Sequence, residues 1–305
     1  MRSVLLRLIC VLSLLAVTTD ADALAFSNVY FFGDSTTDTG RNSPSMPPQS
    51  SLGLVSTYGY DPNRWTNSGG LLWADEFAAG LGFSASSRQF GGTNYAVGGS
   101  RTDELAAQIT LFSTDVGGVA DAGALYVIWS GGNDMLQGYS TAHAVSGVTA
   151  AINQLYALGA QNFLVADFYD VGPLAPGSGP LAPFRPIPPG ASAWSSDYAT
   201  ALQMALTFIS GPTIHWFDAK ALLDPVIYDP VAHGFANGLA LCVNDTLCRA
   251  GVGVDDYLMF DHVHLTAAGH SLVAEGALAA IPEPDSGLLV IAGLLGFAGF
   301  RRANA

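Results

Sequence analysis

The chain has 305 residues, half of them hydrophobic, which is enough for one large domain or two small ones. Its formal net charge is −14, and residues 26–281 alone carry the same charge, because they keep seven of the 11 Lys and Arg and 21 of the 25 Asp and Glu. Such an acidic surface repels nucleic acid and anionic lipid headgroups at long range, so the composition argues against a nucleic-acid-binding role.

The first 25 residues have the parts of a secretory signal peptide. Two arginines precede an apolar run over residues 8–17, and residues 23–25 read Ala-Leu-Ala, an A-x-A-type cleavage site. A transmembrane anchor is the alternative, and the apolar run is short for one. We therefore expect residues 1–25 to be removed on export.

The next stretch is a short strand that ends in a Gly-Asp-Ser turn. Residues 29–32 are apolar and predict a buried strand, and Gly33 lets the backbone turn just before Asp34 and Ser35. In open α/β sheets ligands bind at the carboxyl ends of the strands. A serine hydroxyl needs a base and oxyanion donors to be a useful nucleophile, so an ordinary turn is the alternative.

Helices and strands alternate along the rest of the chain. After the first strand, further strands are predicted over 94–100, 124–129, 162–168 and 213–217. Helices are predicted between and after them, over 71–81 (begun by Ser68 or Asn67), 104–112, 142–158, 195–210, 219–223 and 265–280. The remaining segments are a loop over 43–59, a Pro- and Gly-rich excursion over 173–190 and an irregular segment over 226–254. This alternation predicts an α/β fold, in which a mainly parallel sheet is covered by helices on both faces in a three-layer α/β/α sandwich.

Three of the predicted strands end in clusters of small or polar residues, over 33–35, 98–100 and 132–134. The ends of parallel strands lie side by side, so we expect these clusters to meet. A backbone amide at a glycine turn and the side-chain amide of Asn133 are groups that hold a developing oxyanion, at about 3 kcal/mol each. For any one cluster alone, a tight turn is the alternative.

A base is expected among the six histidines. Asp261 precedes His264 by three residues on a turn that opens a helix, so its carboxylate can reach the second ring nitrogen, as a catalytic triad requires. His262 would then point elsewhere. We expect His143 to be solvated on its helix and His215 to be a core or edge residue of its strand.

Two of the three cysteines remain once the signal peptide is removed. Cys242 and Cys248 lie six positions apart, which in an exported protein predicts a local disulfide that braces a loop. A metal site is the alternative, and it is weak because His233 alone would supplement the pair.

Taken together, these features resemble the GDSL/SGNH hydrolase family. Its four blocks match residues 33–35, 94–99 and 132–134, and Asp261 with His264. Further similarity to the lipase and esterase branch lies in residues 38–42, 64–69 and 125–136. The resemblance covers residues 28–280 and implies the flavodoxin-like SGNH fold. Thr36 stands where the family name has Leu, and we expect this to change packing under the nucleophile without changing the mechanism.

The resemblance also implies a role for each site residue. Ser35 would be the nucleophile, His264 the base and Asp261 its orienting acid. The implied oxyanion hole comprises the Ser35 N–H, an N–H of the second block, for which we favour Gly99 over Gly98, and the Asn133 side chain. Asp34, Asp38 and Asp134 would hold the surrounding loops by hydrogen bonds. No metal or organic cofactor is implied.

The implied activity is that of a secreted serine carboxylesterase or lipase that works through an acyl-enzyme. Its substrate would be an ester-bearing lipid or an acetylated polysaccharide, and deacetylation of an exopolysaccharide is one alternative. A catalytically silent matrix or binding protein on the same fold is another. The presence of nucleophile, base, acid and Asn together argues against a silent site.

The last 24 residues resemble a PEP-CTERM sorting signal. Pro-Glu-Pro at 282–284 is followed by an apolar stretch over 288–300 and two arginines. A buried amphipathic helix is the alternative, but this stretch is apolar on all faces. The resemblance implies a Gram-negative bacterium, Sec export, recognition by an exosortase and transient membrane contact.

The chain would then divide into a signal peptide over 1–25, a hydrolase domain over 26–281 and a sorting tail over 282–305. The product would lie at the cell surface, in the extracellular matrix or in the periplasm, with a membrane anchor before the tail is processed.

Overall fold

The computed structural model describes residues 26–40, 53–174 and 179–281. The predicted signal peptide over 1–25 and the predicted sorting tail over 282–305 lie outside the described residues. Within the described ranges, no helix combines the length and the apolarity that are needed to cross a membrane.

The centre of the fold is a parallel four-stranded sheet with strands in the order β1-β2-β3-β4. The strands are β1 at Val29–Gly33, β2 at Leu125–Trp129, β3 at Asn162–Ala166 and β4 at Thr213–Phe217. Every residue of β2 is buried, as its continuous apolar run predicts for a strand that is paired on both sides. All four strands were predicted from the sequence to within two residues of their ends.

The predicted strand over 94–100 is present only as an isolated parallel bridge between Asn94 and Phe31 of β1. Three backbone hydrogen bonds, from Phe31 to Thr93, from Tyr95 to Phe31 and from Val97 to Gly33, hold residues 93–97 beside β1, and the pairing ends there. The Asn94 side chain also donates to the carbonyl of Thr37 at 2.7 Å and accepts the N–H of Ala96 at 3.0 Å. The chain nevertheless passes along one side of β1 and then returns to the other side as β2, so this edge is a topological switch point.

Helices cover both faces of the sheet, which confirms the three-layer α/β/α class. They are α1 at Leu54–Tyr58, α2 at Trp73–Gly80, α3 at Leu105–Asp115, α4 at Gly132–Leu136, α5 at Thr141–Leu158, α6 at Ala191–Leu206, α7 at Ala219–Tyr228, α8 at Thr246–Arg249 and α9 at Ala267–Ala279. Consecutive residues of β1 point to opposite faces of the sheet and contact the two helical layers. Phe31 packs edge-to-face on Trp73 and Phe77 of α2, whereas Phe32 packs on Phe112 of α3.

The predicted start of α2 at Asn67 or Ser68 is wrong. The helix begins at Trp73, because the carboxylate of Asp75 accepts the N–H of Leu72 at 3.0 Å and caps the first turn there. Asn67 instead accepts the N–H of Ala267, the first residue of α9, at 2.8 Å. Asn67, one of the two residues that the sequence predicts to begin α2, therefore caps the start of α9 instead.

The segments predicted as irregular contain regular structure. The end of the predicted loop over 43–59 is α1, and the segment over 226–254 contains the end of α7, strand β5 at Asn237–Leu241 and α8. Strand β5 pairs in parallel with β6 at Tyr257–Met259. A disulfide joins Cys242 to Cys248, with 5.3 Å between their Cα atoms, as the spacing of the pair predicts.

Candidate active site

Ser35 lies two residues after the end of β1, and the end of that strand is held by a side chain from α3. The Gly33 N–H donates to Oε1 of Gln108 at 3.0 Å, and Nε2 of Gln108 donates to the Gly33 carbonyl at 2.7 Å. A Cβ atom on Gly33 would lie 2.2 Å from the carbonyl oxygen of Trp129 on β2, so only glycine fits here. The backbone that carries Ser35 is therefore fixed against two neighbouring elements.

A tight turn between β6 and α9 carries the acid and the base. Oδ1 of Asp261 accepts the N–H groups of Val263 and His264, both at 2.8 Å. Oδ2 of Asp261 lies 2.7 Å from Nδ1 of His264, and Nε2 of His264 lies 2.8 Å from Oγ of Ser35. The structure thus brings together the three residues that the sequence singles out as nucleophile, base and acid.

The environment of Asp261 fixes its charge. Burial alone would raise the pKa of this fully buried carboxyl, but the charge of His264 and its hydrogen bond hold the pKa well below the usual range. The ionised carboxylate can only accept, so Nδ1 of His264 is the protonated nitrogen and Nε2 is free to accept the Ser35 hydroxyl proton.

Tyr60 and Trp65 complete the surroundings of the acid and base, and the sequence analysis gave neither a role. The Tyr60 hydroxyl donates to Oδ2 of Asp261 at 2.5 Å, the same oxygen that faces His264. The Trp65 ring stacks on the His264 ring with 5.3 Å between centroids and 20° between planes. These contacts fix the orientation of both partners in the Asp261–His264 pair.

Hydrogen bonds join the segment that carries Tyr60 and Trp65 to the residues that directly follow His264. Oγ1 of Thr66 donates to the carbonyl of Leu265 at 2.9 Å, and Asn67 binds Ala267 as described above. The similarity of residues 64–69 to a family block was the one signal in the sequence that pointed to this segment. Nothing in the sequence signalled Tyr60.

The two glycines of the second block are not equivalent. The N–H of Gly98 donates to Oδ2 of Asp38 at 2.8 Å. Gly99, in the left-handed region at φ 84°, lines the cavity in front of Ser35. Asn133, the second residue of α4, lines the same cavity. The Gly98 N–H therefore already has a partner, whereas Gly99 faces the space in front of Ser35.

The three loop aspartates make the hydrogen bonds that were expected of them. Oδ1 of Asp34 accepts the N–H of Thr36 at 3.0 Å, and the two carboxylate oxygens of Asp134 accept the N–H and hydroxyl of Thr102 at 2.9 and 2.8 Å. Asp38 also accepts from Gly40. Burial raises the pKa of Asp34 to about 6, although the Thr36 hydrogen bonds and the charge of His264 act in the opposite direction.

The other histidines lie apart from this chemistry. His262 points away from Ser35, as expected, and its Nε2–H donates to the carbonyl of Arg185 at 2.8 Å. His143 is only one-third exposed and its Nε2 lies 3.6 Å from Asp134, so its expected solvation is partial. His215 is half-buried on β4, and burial lowers its pKa. In the part of the chain that the structure describes, no cluster of His, Cys, Asp or Glu could hold a metal ion.

A cavity of about 30 Å³ opens in front of Ser35. It is lined by both polar and apolar residues, namely Asp34, Ser35, Thr36, Trp65, Gly99, Gly132, Asn133, Leu136, Phe168, Leu181, Arg185, Val263 and His264. One small space is therefore lined by the nucleophile and base candidates, Ser35 and His264, and by the two further candidate oxyanion donors, Gly99 and Asn133. This arrangement suits attack of a serine hydroxyl on a carbonyl group.

Comparison with known proteins gives a family match over most of the chain. The model of the GDSL-like lipase/acylhydrolase family matches residues 29–277. Lipase 1 of Photorhabdus luminescens is 30% identical over 173 residues, which are 52% of this chain and 24% of that protein. Esterase EstA of Pseudomonas aeruginosa is 26% identical over 331 aligned positions, which are 90% of this chain and 50% of that protein. The chain thus spans half or less of the length of these curated relatives.

Solved structures with a similar fold include a lipolytic protein of the G-D-S-L family from Veillonella parvula. It is 16% identical, with a TM-score of 0.47, and the match covers 83% of this chain and 96% of that one. The aryl esterase of M. smegmatis is 16% identical with a TM-score of 0.46, and the match covers 83% of this chain and 99% of that one.

Proposed function

This chain belongs to the GDSL-like lipase/acylhydrolase family, and we propose that it is a serine ester hydrolase with Ser35 as nucleophile, His264 as base and Asp261 as orienting acid. One observation carries the proposal. The continuous hydrogen-bonded relay runs from Asp261 Oδ2 to His264 Nδ1 at 2.7 Å and from His264 Nε2 to Ser35 Oγ at 2.8 Å. These distances lie within the range over which a base activates a serine hydroxyl.

The proposed reaction is a two-step acyl transfer. Ser35 Oγ attacks the ester carbonyl carbon while His264 Nε2 takes its proton, and a tetrahedral intermediate forms. His264 returns the proton to the alcohol oxygen as the C–O bond breaks, which leaves an acyl group on Ser35. Water then attacks the acyl-enzyme carbonyl while His264 takes its proton, and His264 gives that proton to Oγ of Ser35 as the acyl–Oγ bond breaks and the carboxylic acid is released. Asp261 stays ionised throughout and stabilises the imidazolium.

The developing negative charge on the carbonyl oxygen needs donors that are in place before the reaction. We assign this role to the Ser35 N–H, the Gly99 N–H and the side-chain amide of Asn133. Each such donor contributes about 3 kcal/mol to the lowering of the barrier in related acyl-transfer sites.

The size of the cavity favours a short acyl group. A volume of about 30 Å³ holds a group of about two or three water-sized units. An acetyl or similar ester fits this space, whereas a long lipid chain would have to extend into solvent. We therefore rank carboxylesterase activity on short-chain esters first. Deacetylation of an acetylated exopolysaccharide is the second candidate, favoured by the same small cavity.

We further propose that the hydrolase domain over 26–281 is exported. The charge pattern and the Ala-Leu-Ala site of residues 1–25 support Sec export, and the Pro-Glu-Pro, apolar and Arg-Arg order of residues 282–305 supports recognition by an exosortase. A location at the cell surface, in the extracellular matrix or in the periplasm would follow.

The test is hydrolysis of a series of p-nitrophenyl esters of increasing acyl length by the wild-type chain, a Ser35→Ala variant and a Ser196→Ala variant. Ser196 lies exposed on α6 and serves as the matched control. We expect hydrolysis of the acetyl and propanoyl esters, loss of activity in Ser35→Ala and wild-type rates in Ser196→Ala. Equal activity in the two serine variants would refute the assignment of the nucleophile. A preference for long acyl chains would refute the short-acyl assignment.

A further inference from the structure

Arg185 occupies an unusual position in the wall of the cavity. Among the described residues that line the cavity it is the only lysine or arginine, in a chain whose formal net charge is −14. It belongs to the Pro- and Gly-rich excursion between β3 and α6, and it takes no part in the proposed acyl transfer.

The backbone of Arg185 is held from two sides. Its N–H donates to the carbonyl of Leu181, itself a cavity residue, at 2.9 Å. Its carbonyl accepts the Nε2–H of His262 at 2.8 Å, and His262 lies within the turn that carries His264. The position of Arg185 is therefore tied to the position of the base.

The guanidinium, in contrast, has donors to spare. Arg64, Arg88 and Arg101 each form an ion pair with an aspartate. Arg185 forms no ion pair within the described ranges, where Nη1 donates only to the neighbouring carbonyl of Phe184 and the buried Nε has no hydrogen-bond partner. A buried N–H of a charged group that lacks a partner costs free energy, and a ligand that accepts from it recovers that cost.

We propose that Arg185 binds a carboxylate of the substrate, so that the preferred substrates are short esters with a carboxylate close to the ester bond. This proposal rests on the proposed function and names its substrate class. A guanidinium pairs with the two oxygens of a carboxylate through parallel N–H groups. The cavity is small, so a carboxylate that reaches Arg185 lies within a few bonds of the carbonyl that Ser35 attacks.

Charge makes this contact selective. Asp34 and Asp261 lie in or beside the cavity, and the whole chain is acidic, so an anionic ester is repelled unless a cation faces it. Arg185 supplies that cation at the site itself. A neutral ester has no carboxylate to pair with Arg185, so it gains no binding free energy from this contact. The preference is therefore a property of one side chain, separate from the Ser35, His264 and Asp261 relay.

The experiment compares matched neutral and anionic esters in the full chain, in an Arg185→Met variant and in an Arg185→Lys variant. The mono-p-nitrophenyl ester of succinic acid, with p-nitrophenyl butanoate as its neutral match, carries the carboxylate on the acyl side. Para-acetoxybenzoate, with phenyl acetate as its neutral match, carries it on the alcohol side. The two pairs distinguish the two positions of the carboxylate.

We expect Arg185→Met to lower kcat/KM at least about ten-fold on one of the anionic esters, mainly through KM, and less than about two-fold on the neutral esters. Arg185→Lys should retain part of the preference, because it keeps the charge and loses the fork. An equal loss on charged and neutral esters in Arg185→Met would overturn the proposal and indicate a structural role.

The wild-type chain supplies a second readout that needs no variant. Its kcat/KM for an anionic ester should exceed that for the neutral match at low NaCl, and the excess should shrink as NaCl is raised. Absence of any such preference overturns the proposal even if the variants fail to fold. Hydrolysis of neutral esters that depends on Ser35 would then leave the proposed function standing, whereas no ester hydrolysis at all would overturn the proposed function itself.

Discussion

The two walls of the cavity are built in different ways. The sheet wall carries Ser35, two residues after β1, and Asn133, in the helix α4 that follows β2, and the paired backbones of the two strands run in register up to Gly33 and Trp129. The loop wall carries His264 and Arg185 on segments between elements, where a few backbone hydrogen bonds are supplemented by side-chain hydrogen bonds. Oδ1 of Asp261 alone accepts two backbone N–H groups of the turn that carries His264.

This difference has a consequence for how each wall responds to substitution. A ladder of backbone bonds survives the loss of any one side chain, so changes on the sheet wall should act through chemistry and leave the geometry intact. The loop wall depends on particular donors and acceptors, so changes there should alter how the base is oriented. Three variants examine the two walls and a fourth examines a buried histidine outside them, ordered from the largest to the smallest expected effect on activity.

The sheet wall is tested most directly by Asn133→Ala. Loss of one oxyanion donor should lower kcat about 10²- to 10³-fold with little change in KM, because the donor acts mainly on the transition state. Steady-state kinetics on a short p-nitrophenyl ester measures this. Asn153→Ala, exposed on α5, is the control and should match the wild type. A loss below about ten-fold in Asn133→Ala would remove Asn133 from the oxyanion hole.

The loop wall is tested by Tyr60→Phe. Without the Tyr60 hydroxyl, Oδ2 of the buried Asp261 carboxylate loses a hydrogen bond that helps to orient it towards His264. We expect kcat/KM to fall about ten-fold, the low end of the effect of a hydrogen bond to a charged group. Tyr228→Phe, which removes an exposed Tyr–Asp contact at 3.4 Å, is the control. A kcat/KM equal to that of the wild type would show that Tyr60 only fills space.

Gln108→Met tests whether the sheet wall tolerates the loss of a side-chain clamp. Both hydrogen bonds to Gly33 disappear, so the free energy of unfolding should fall by about 2 to 3 kcal/mol in urea titrations. Activity of the folded variant should fall no more than a few-fold, since the ladder with β2 still holds β1. Gln154→Met, exposed on α5, should change neither quantity. An activity loss as large as that of Asn133→Ala would contradict the distinction between the two walls.

His270 on α9 is expected to affect stability alone. It is fully buried, neither ring nitrogen has a hydrogen-bond partner among the described residues, and burial, with a further contribution from the charge of His264, lowers its pKa to about 3. The unfolded chain binds this proton near pH 6.5 and the folded chain only near pH 3, so stability falls as the pH drops through that window. This group should contribute a slope of up to about 1.4 kcal/mol per pH unit.

The measurement for His270 is urea unfolding between neutral and mildly acidic pH. His270→Phe should show a shallower loss of stability towards low pH than the wild type, whereas His233→Phe, exposed on the surface, should keep the wild-type slope. If His270→Phe also kept that slope, the buried histidine would not be the source of the acid sensitivity.

The sequence predicted the strand ends and the Asp261–His264 pair, but not the distant contacts that hold them, for a physical reason. Strand ends follow from short apolar runs and the glycines after them, and Asp261 lies only three residues from His264, so local pattern was sufficient for these residues. Tyr60 and Asp261 are 201 residues apart, and no local pattern encodes their contact. Arg185 lies in a loop whose path depends on Leu181 and His262 contacts that only the folded chain reveals.

Some missed features did have a signal. Gln108 is a polar residue on the buried stripe of α3, beside Leu105, Ile109 and Phe112, and such a position predicts a buried hydrogen-bond partner. The choice between Gly98 and Gly99, in contrast, depended on the Asp38 carboxylate, 60 residues away. The sequence identifies both glycines as candidate oxyanion donors, but it contains no local pattern that distinguishes between them.

The most direct test of the central claim is labelling of the full chain with a fluorophosphonate probe, which reacts with a serine only when a base activates it. We expect labelling of the wild type and of Ser196→Ala, none of Ser35→Ala, and strongly reduced labelling of His264→Ala. Labelling that persists in Ser35→Ala, or a folded wild-type protein that is not labelled, would contradict the claim that Ser35 is a nucleophile activated by His264.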